Sequence, residues 1–331
     1  MNRKMTYFKW IKESILRLEP FQSTDRLTKG CMCLPYLKKE IPYVNSRWQE
    51  AALSFAWMYS TAKQDKYKTL AYSALDYWTT LQHTDGSFGE YSKQDRSFAA
   101  TAFTTLAVLH CSTYLQLSEL HLATLKHALT WLSKNNEVVY TNQQAAAATA
   151  LFKAAEFFNN KEYLKAAQDK LNRVFKNQHY SGYYNEKGFD LGYNSLTLEM
   201  LGLIYLQTKD KQILSSAEYF LEYISTKAYP QKNSRGTTWV LPTGFEIFAP
   251  LTKHGEQALH HLLTTQKTKH LEQDINLCTD LYRYMWAHDH CTVQLTTLPN
   301  EELPQIRKNK PSQLLKPLRR IGLHTLRTWL H

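Results

Sequence analysis

Three short stretches hold side chains placed for chemistry. Tyr193 follows Gly188 and Gly192 where a polar loop becomes the apolar run LTLEMLGLIYL, so a helix beginning there presents a phenol in its first turn. Asn142 and Gln143 occupy the same kind of junction ahead of AAAATALFKAAEFF. Arg235 lies in the polar segment NSRGTTW, residues 233–239, a setting suited to holding a carboxylate or phosphate. Trp48, Arg96 and Glu246 stand at further junctions of this kind, and His179 sits in a loop of glycine and aromatic residues. Aromatic, amide and charged groups gathered in this way equip a sugar-binding cleft: rings stack on the apolar faces of pyranoses while amides and carboxylates take the hydroxyls.

The same residues have packing roles open to them. Phe88 and Tyr184 can plug helix interfaces, His83 and His179 can cap the helices before them, and Arg47 can pair with Glu50 one turn along its own helix.

The elements that position these groups are helices. Only 11 Gly and 10 Pro in 331 residues, with 43% hydrophobic residues, argue against a sheet protein built on tight turns. One pattern recurs about every 48 residues: a helix rich in small residues, a break, an amphipathic helix, then a polar loop. The first helices of these units begin near Arg47, Arg96, Asn142 and Gly192, and a fifth begins near Gly244. Ser46 with Gln49, and Thr141 with Gln144, have the spacing of capping boxes, and Asp95 is placed to cap the helix opening at Arg96. The loops Gln82–Glu90 and Gln178–Glu186 align without a gap as Gln-His-x-x-Gly-x-aromatic-x-Glu, two periods apart.

Such hairpins cannot bury their apolar faces alone and must stack. Crowded small residues such as Ala51, Ala99 and Ala145–Ala148 suit inner helices, and long aromatic loops at every second turn suit closure. The expected fold is therefore all-α, an (α/α) toroid of about five to six hairpins over residues 1–298. The expected repeats lie near 47–95, 96–141, 142–190, 191–243 and 244–290, with a basic amphipathic tail at 299–331. In such a ring the inner helices are parallel, so their N-termini and the long loops meet at one mouth, where free N–H groups favour anions and hydroxyl-rich ligands.

The net charge of +11 belongs to the ends. Residues 1–17 carry +4 and residues 303–331 carry +7, so the stretch between is formally neutral and the basicity implies no polyanion-binding cleft. The tail, with Trp329 near its end, suits an anionic membrane surface or a protein partner; no recognised nucleic-acid module accompanies it, and no specific nucleic acid is expected. The odd, scattered cysteines spell no disulfide framework, and Cys31-x-Cys33 is a poor zinc pair, so neither metal nor cofactor is expected. No window reaches the roughly 18 apolar residues that a bilayer span takes. The basic start breaks its apolar positions with charges, unlike an export signal, which leads to an expected cytoplasmic location, peripheral at the inner membrane surface.

Residues 81–89 followed by 96–102 resemble the repeat of the terpenoid cyclase and protein prenyltransferase group, which implies an isoprenoid-handling alternative. Over roughly 40–265 the arrangement is more similar to the toroid domain of the heparinase II/III and alginate lyase superfamily. Asn142-Gln143 and Tyr193 stand where that superfamily places an Asn and a His at one inner helix and a Tyr at the next. The resemblance implies that Asn142 and Arg235 neutralise a uronate carboxylate while Tyr193 moves protons. Gln143 stands where the family has its His, and His179 is the substitute base. It also implies an acidic glycan as ligand, with lyase- or epimerase-like chemistry in glycan biosynthesis. Beside it stands a second expectation, a non-catalytic scaffold or glycan-binding component of surface-polysaccharide assembly.

Overall fold

The computed structural model describes residues 3–33, 44–226, 239–265, 271 and 274–291. They form twelve α-helices: α1 (Arg3–Leu18), α2 (Ala51–Ala62), α3 (Asp65–Thr80), α4 (Phe98–Cys111), α5 (Glu119–Lys134), α6 (Thr141–Phe157), α7 (Lys161–Lys176), α8 (Leu191–Thr208), α9 (Lys211–Thr226), α10 (Thr243–Phe248), α11 (Gly255–Thr265) and α12 (Asp274–His290). A 3₁₀ turn, Ser46–Glu50, leads into α2. Among the described residues β-structure is limited to three isolated bridges, Gln22 with Met32, Phe88 with Ser97, and Gln178 with Tyr184.

The even-numbered helices make the inner ring, each packing on the next from α2 through α12 and back to α2. They are apolar nearly all round, as a helix must be when it has neighbours on every side. In α4 every residue from Ala99 to Leu109 is buried. In α6, Ala145 to Ala148 are all fully buried, and their small size lets adjacent helices approach. The outer helices bury only one stripe; α7 covers Ala167, Lys170, Leu171 and Val174 and leaves most of its surface to solvent.

Residues 244–290, expected as one hairpin, hold α10, α11 and a further inner helix, α12. The outer partner of α12 comes from the other end of the chain. α1 lies along it, with Tyr7 edge-on to Tyr284 at 6.4 Å, Phe8 beside His288 at 5.9 Å, and Arg17 donating to the Leu271 carbonyl at 2.8 Å. Trp57 of α2 packs edge-on against the same His288 at 5.4 Å, and its Nε1 donates to Asp289 Oδ2 at 2.8 Å, tying α12 to α2. The molecule is a closed toroid of six hairpins, the sixth assembled from both ends of the sequence.

The two matching loops prove equivalent in space. Gln82 Nε2 donates to the Gly86 and Thr124 carbonyls, and Gln178 Nε2 donates to those of Gly182 and Ser216, clipping each loop to the outer helix of the following hairpin. Gly86 and Gly182 have φ of +95° and +109°, and a Cβ on either would lie within 2.5 Å of a helix carbonyl oxygen, His127 or Tyr219. Glycine is required there on both counts. A third copy follows α1, where Gln22 Nε2 donates to the Leu70 carbonyl and Gly30, at φ +87°, abuts Ser73. Its glutamine and glycine are eight residues apart instead of four, so no sequence alignment reveals it. Between α5 and α6 a lysine replaces the clip: buried Lys170 of α7 donates to Asn135 O and Asn136 Oδ1. Burial first, then the neighbouring Arg173, pulls its ammonium pKa down to about 8.

Several caps differ from the sequence expectation because a better acceptor lies nearby. Asn45, one residue before Ser46, accepts from Arg47 N, and Gln49 is taken up by the Met32 backbone. Ser97 caps α4, while Asp95 accepts from Glu90 N and Tyr91 N. Thr141 Oγ1 donates to the Asn185 carbonyl, and Gln144 Oε1 accepts from Glu137 N.

Under α1, Arg3 makes a bidentate pair with Glu246 (3.0 and 2.8 Å), and Tyr7 OH adds a 2.8 Å bond to the same carboxylate. All three residues are buried. Glu246→Ala leaves a buried cation unpaired and is expected to lower unfolding free energy by roughly 3–5 kcal/mol, whereas Arg3→Met with Glu246→Leu loses much less. Urea denaturation of the two variants tests this.

Candidate functional site at the N-terminal mouth of the ring

Where α2 begins, a buried chain of charges crosses the ring. Arg47 Nε donates to Glu50 Oε1 at 2.8 Å, and its Nη1 lies 3.9 Å from Glu90 Oε1 on the loop before α4. Glu90 Oε2 accepts from Ser97 Oγ, the cap of α4, at 3.1 Å. Tyr282 OH donates to Glu50 Oε2 at 2.8 Å. Arg283, on the same turn of α12, pairs with Glu199 of α8, reaches Asp280 at 3.3 Å and approaches Glu50 Oε2 at 4.0 Å. Both guanidiniums lie over the Phe103 ring of α4, at 4.5 Å for Arg47 and 5.2 Å for Arg283. Three helices, the 3₁₀ turn before α2 and one loop thus contribute to a single network.

Burial works against the carboxylates, raising the pKa of Glu50, Glu90 and Glu199, and the guanidiniums of Arg47 and Arg283 oppose that rise. Both arginines stay cationic, because adjacent carboxylates more than offset their own desolvation. Glu199 Oε2 and Arg283 Nη2 are buried without a hydrogen bond, so the network keeps one acceptor and one donor unused.

Aromatic groups stand above this network. Asp190 caps α8 by accepting from Tyr193 N at 3.0 Å, which sets Tyr193 in the first turn. Its ring meets Trp239 edge-on at 5.7 Å. Tyr91 is 70% exposed as a residue. Its hydroxyl nevertheless titrates above the ordinary range, raised first by desolvation at the crowded mouth, then by Glu90 and by Tyr193, with Arg47 opposing. Tyr91 and Tyr193 therefore lie within electrostatic reach of each other, along with Arg47.

The other residues singled out from the sequence are placed as follows. Asn142 is buried, and its N and Nδ2 donate to the two oxygens of Glu186 at 2.7 and 2.8 Å, so that carboxylate caps α6 and holds the amide. Gln143 is half-buried beside it. His179 lies in the clipped loop packed on α9, stacked on Tyr183 at 4.4 Å and accepting at Nδ1 from Ser181 N. Arg96 is exposed and pairs with Asp85 at 3.1 Å. Trp48 is in the core, and Glu246 lies under α1 with Arg3 and Tyr7. Arg235 and the 299–331 tail fall outside the described residues. Among the described residues no group of three or more His, Cys, Asp or Glu is arranged to hold a metal ion.

Glu199 and Arg283 were not among the candidates, although the sequence holds a signal. Each is a lone charge in an apolar helical run, Leu198-Glu199-Met200 and Tyr282-Arg283-Tyr284. A charge on an all-buried helix requires a partner at the same depth.

Six closed hairpins with a polar, aromatic mouth where the inner helices begin define an (α/α)₆ toroid. The chain belongs to the ulvan lyase N-terminal domain family, whose profile matches residues 10–272. Among solved structures it is similar to the GH76A α-1,6-mannanase of Salegentibacter sp. HEL1_6, with a TM-score of 0.63 and 10% identity over 86% of this chain and 98% of that one. It is also similar to an unsaturated glucuronyl hydrolase specific for heparin, with a TM-score of 0.58 and 13% identity over 86% and 96%. D-mannose isomerase follows, with a TM-score of 0.54 and 13% identity over 85% and 86%. At these identities the likeness is one of fold. No curated protein matches the chain.

Because the folded-state pKa values of Glu50 and Glu199 are raised, the native state holds protons that the unfolded state has released. Stability therefore falls as pH rises from about 4.5 through those folded values. Arg283→Met removes the cation between the two carboxylates and is expected to cost roughly 3–5 kcal/mol at pH 8 and clearly less at pH 5, where both can be protonated. Denaturation at the two pH values measures the difference.

Proposed function

We propose that the protein acts on an acidic oligosaccharide held across the N-terminal mouth of the toroid. The observation that carries this reading is the ring of Tyr193, set in the first turn of α8, meeting Trp239 edge-on with Tyr91 and Arg47 within electrostatic reach, in a chain of the ulvan lyase N-terminal domain family. Trp239 and the tyrosines offer rings for a pyranose face. Arg47, about one-fifth exposed at its side chain, offers a guanidinium for a uronate carboxylate. Neutralising that carboxylate lowers the pKa of the adjacent C5 proton, and Tyr193 is the group placed to move a proton there, giving lyase- or epimerase-like chemistry. Asn142, whose amide is held by Glu186, positions the start of α6 instead of touching substrate. His179, packed on the outer layer, takes no part.

A second reading is hydrolysis, favoured by the raised pKa of the mouth carboxylate Glu90, a property suited to a general acid. The mannanase neighbour is recorded as inactive when two consecutive aspartates are replaced, and the present chain has no two consecutive aspartates. Any hydrolysis here would not use a consecutive aspartate pair.

Incubation with uronate-containing and neutral oligosaccharides, followed by ultraviolet absorbance and a reducing-end assay, separates these readings. Elimination yields an absorbing unsaturated product, hydrolysis yields reducing ends without it, and epimerisation yields neither but exchanges C5 hydrogen with solvent. Tyr193→Phe is expected to lower turnover by about 100-fold or more with the helical signal and melting unchanged. Full activity in that variant removes Tyr193 from the chemistry, and no product or ligand-induced tryptophan fluorescence change across the panel rejects the proposal.

A further inference from the structure

Helix α1 is amphipathic twice over. Its inward face, Tyr7, Ile11, Ile15 and Leu18, is buried against the ring. Its outward face carries a second stripe, Met5, Lys9, Lys12 and Leu16, at helical spacing i, i+4, i+7 and i+11. Met5 and Leu16 are 68% and 60% exposed, unusual for large apolar side chains on a helix that already has a core-facing side. With Phe8, Lys4 and His288 this stripe lines a shallow groove of about 600 Å³. Lysine ammonium groups surround the apolar surface, Lys12 lying over the Phe8 ring at 5.7 Å, and Glu13 is the one acidic residue in the lining.

We infer that the outer face of α1 docks on an anionic lipid bilayer, Met5, Phe8 and Leu16 entering the headgroup boundary while Lys4, Lys9 and Lys12 face lipid phosphates. Apolar side chains flanked by lysines are what an interfacial helix presents to such a surface. The chain adds a second argument. α12 ends at His290, next to the groove residue His288, and the sequence continues from there into residues 303–331, which carry +7 and no acid. The sequence thus supplies a second basic, partly apolar stretch besides α1, and anchoring by two weak signals is far firmer than by either alone. Their like charge argues against the tail filling the groove itself. This inference is independent of what the mouth binds.

The full-length protein is mixed with vesicles of phosphatidylcholine alone or with phosphatidylglycerol, and bound protein is measured by flotation. Binding is expected to the phosphatidylglycerol vesicles only, to weaken with salt, and to fall at least ~10-fold in Lys4→Glu/Lys9→Glu/Lys12→Glu. Met5→Ser/Leu16→Ser tests the apolar half and is expected to weaken binding with little change in salt dependence. Unchanged circular dichroism shows that either variant still folds, since all five side chains are exposed. Failure to bind either vesicle, or full binding by both variants, overturns the inference; the second outcome assigns the attachment to the tail alone. Capture of an acidic protein without vesicle binding likewise overturns it and makes the groove a protein interface.

Discussion

The burial of α12 between α2 and α10 is the constraint on which the rest of the structure depends. A ring of parallel inner helices has no free edge only when the last helix meets the first, and α12 makes that contact carrying Arg283 inward. The guanidinium cannot remain inside unpaired. Glu199 from α8 and Glu50 from α2 reach it from both sides, and Tyr282 and Thr243 secure the same turn of α12 to α2 and α10. α1 then covers the outer side of α12. The contacts that bring the two ends together, Arg3 with Glu246, Trp57 with Asp289 and Tyr282 with Glu50, join residues more than 200 positions apart. The entropy of closing such long loops grows slowly with length, so the equilibrium cost is modest, but closure must wait for both ends of the chain and slows folding.

The division between small inner and larger outer residues follows from the same geometry. Inner helices have neighbours on every side and need short side chains where they cross, which Ala145–Ala148 provide. Outer helices have one buried stripe and a wet face. The loops from outer to inner helices carry the remaining problem, since each turns through the surface with backbone groups to satisfy. Glutamine clips onto the next outer helix solve it three times, and Lys170 solves it once by a different side chain reaching from the opposite direction.

That recurring clip shows why part of the fold was legible in the sequence. Two copies share one spacing and align, so the repeat, its period and the toroid could be read from residues 82–90 and 178–186. The third copy stretches the spacing from four to eight, and the outer partner of α12 lies at the far end of the chain, where no local periodicity points to it. The site was legible to a similar degree. Tyr193 could be placed because helix starts are written locally, here in two glycines, Gly188 and Gly192, followed by an apolar run. Arg283 and Glu199 escaped because their pairing depends on ring closure. His179 and Glu246 were drawn to the mouth by repeat position, whereas side-chain direction takes one to α9 and the other beneath α1.

The residues that close the ring are also the floor of its mouth. Glu50 contacts Arg47 on one side and Tyr282 with Arg283 on the other, so the first inner helix, the last inner helix and the Glu90 loop share one electrostatic network. A ligand that engages Arg47 favours the arrangement in which Glu50 is held between both arginines, and by mass action it stabilises the closed ring over any state with α12 undocked. Many folds carry their sites on loops that can be exchanged with little consequence for the scaffold. Here the charge proposed to recognise the ligand and the charge that closes the ring are neighbours on one carboxylate, so a change in either is felt by the other.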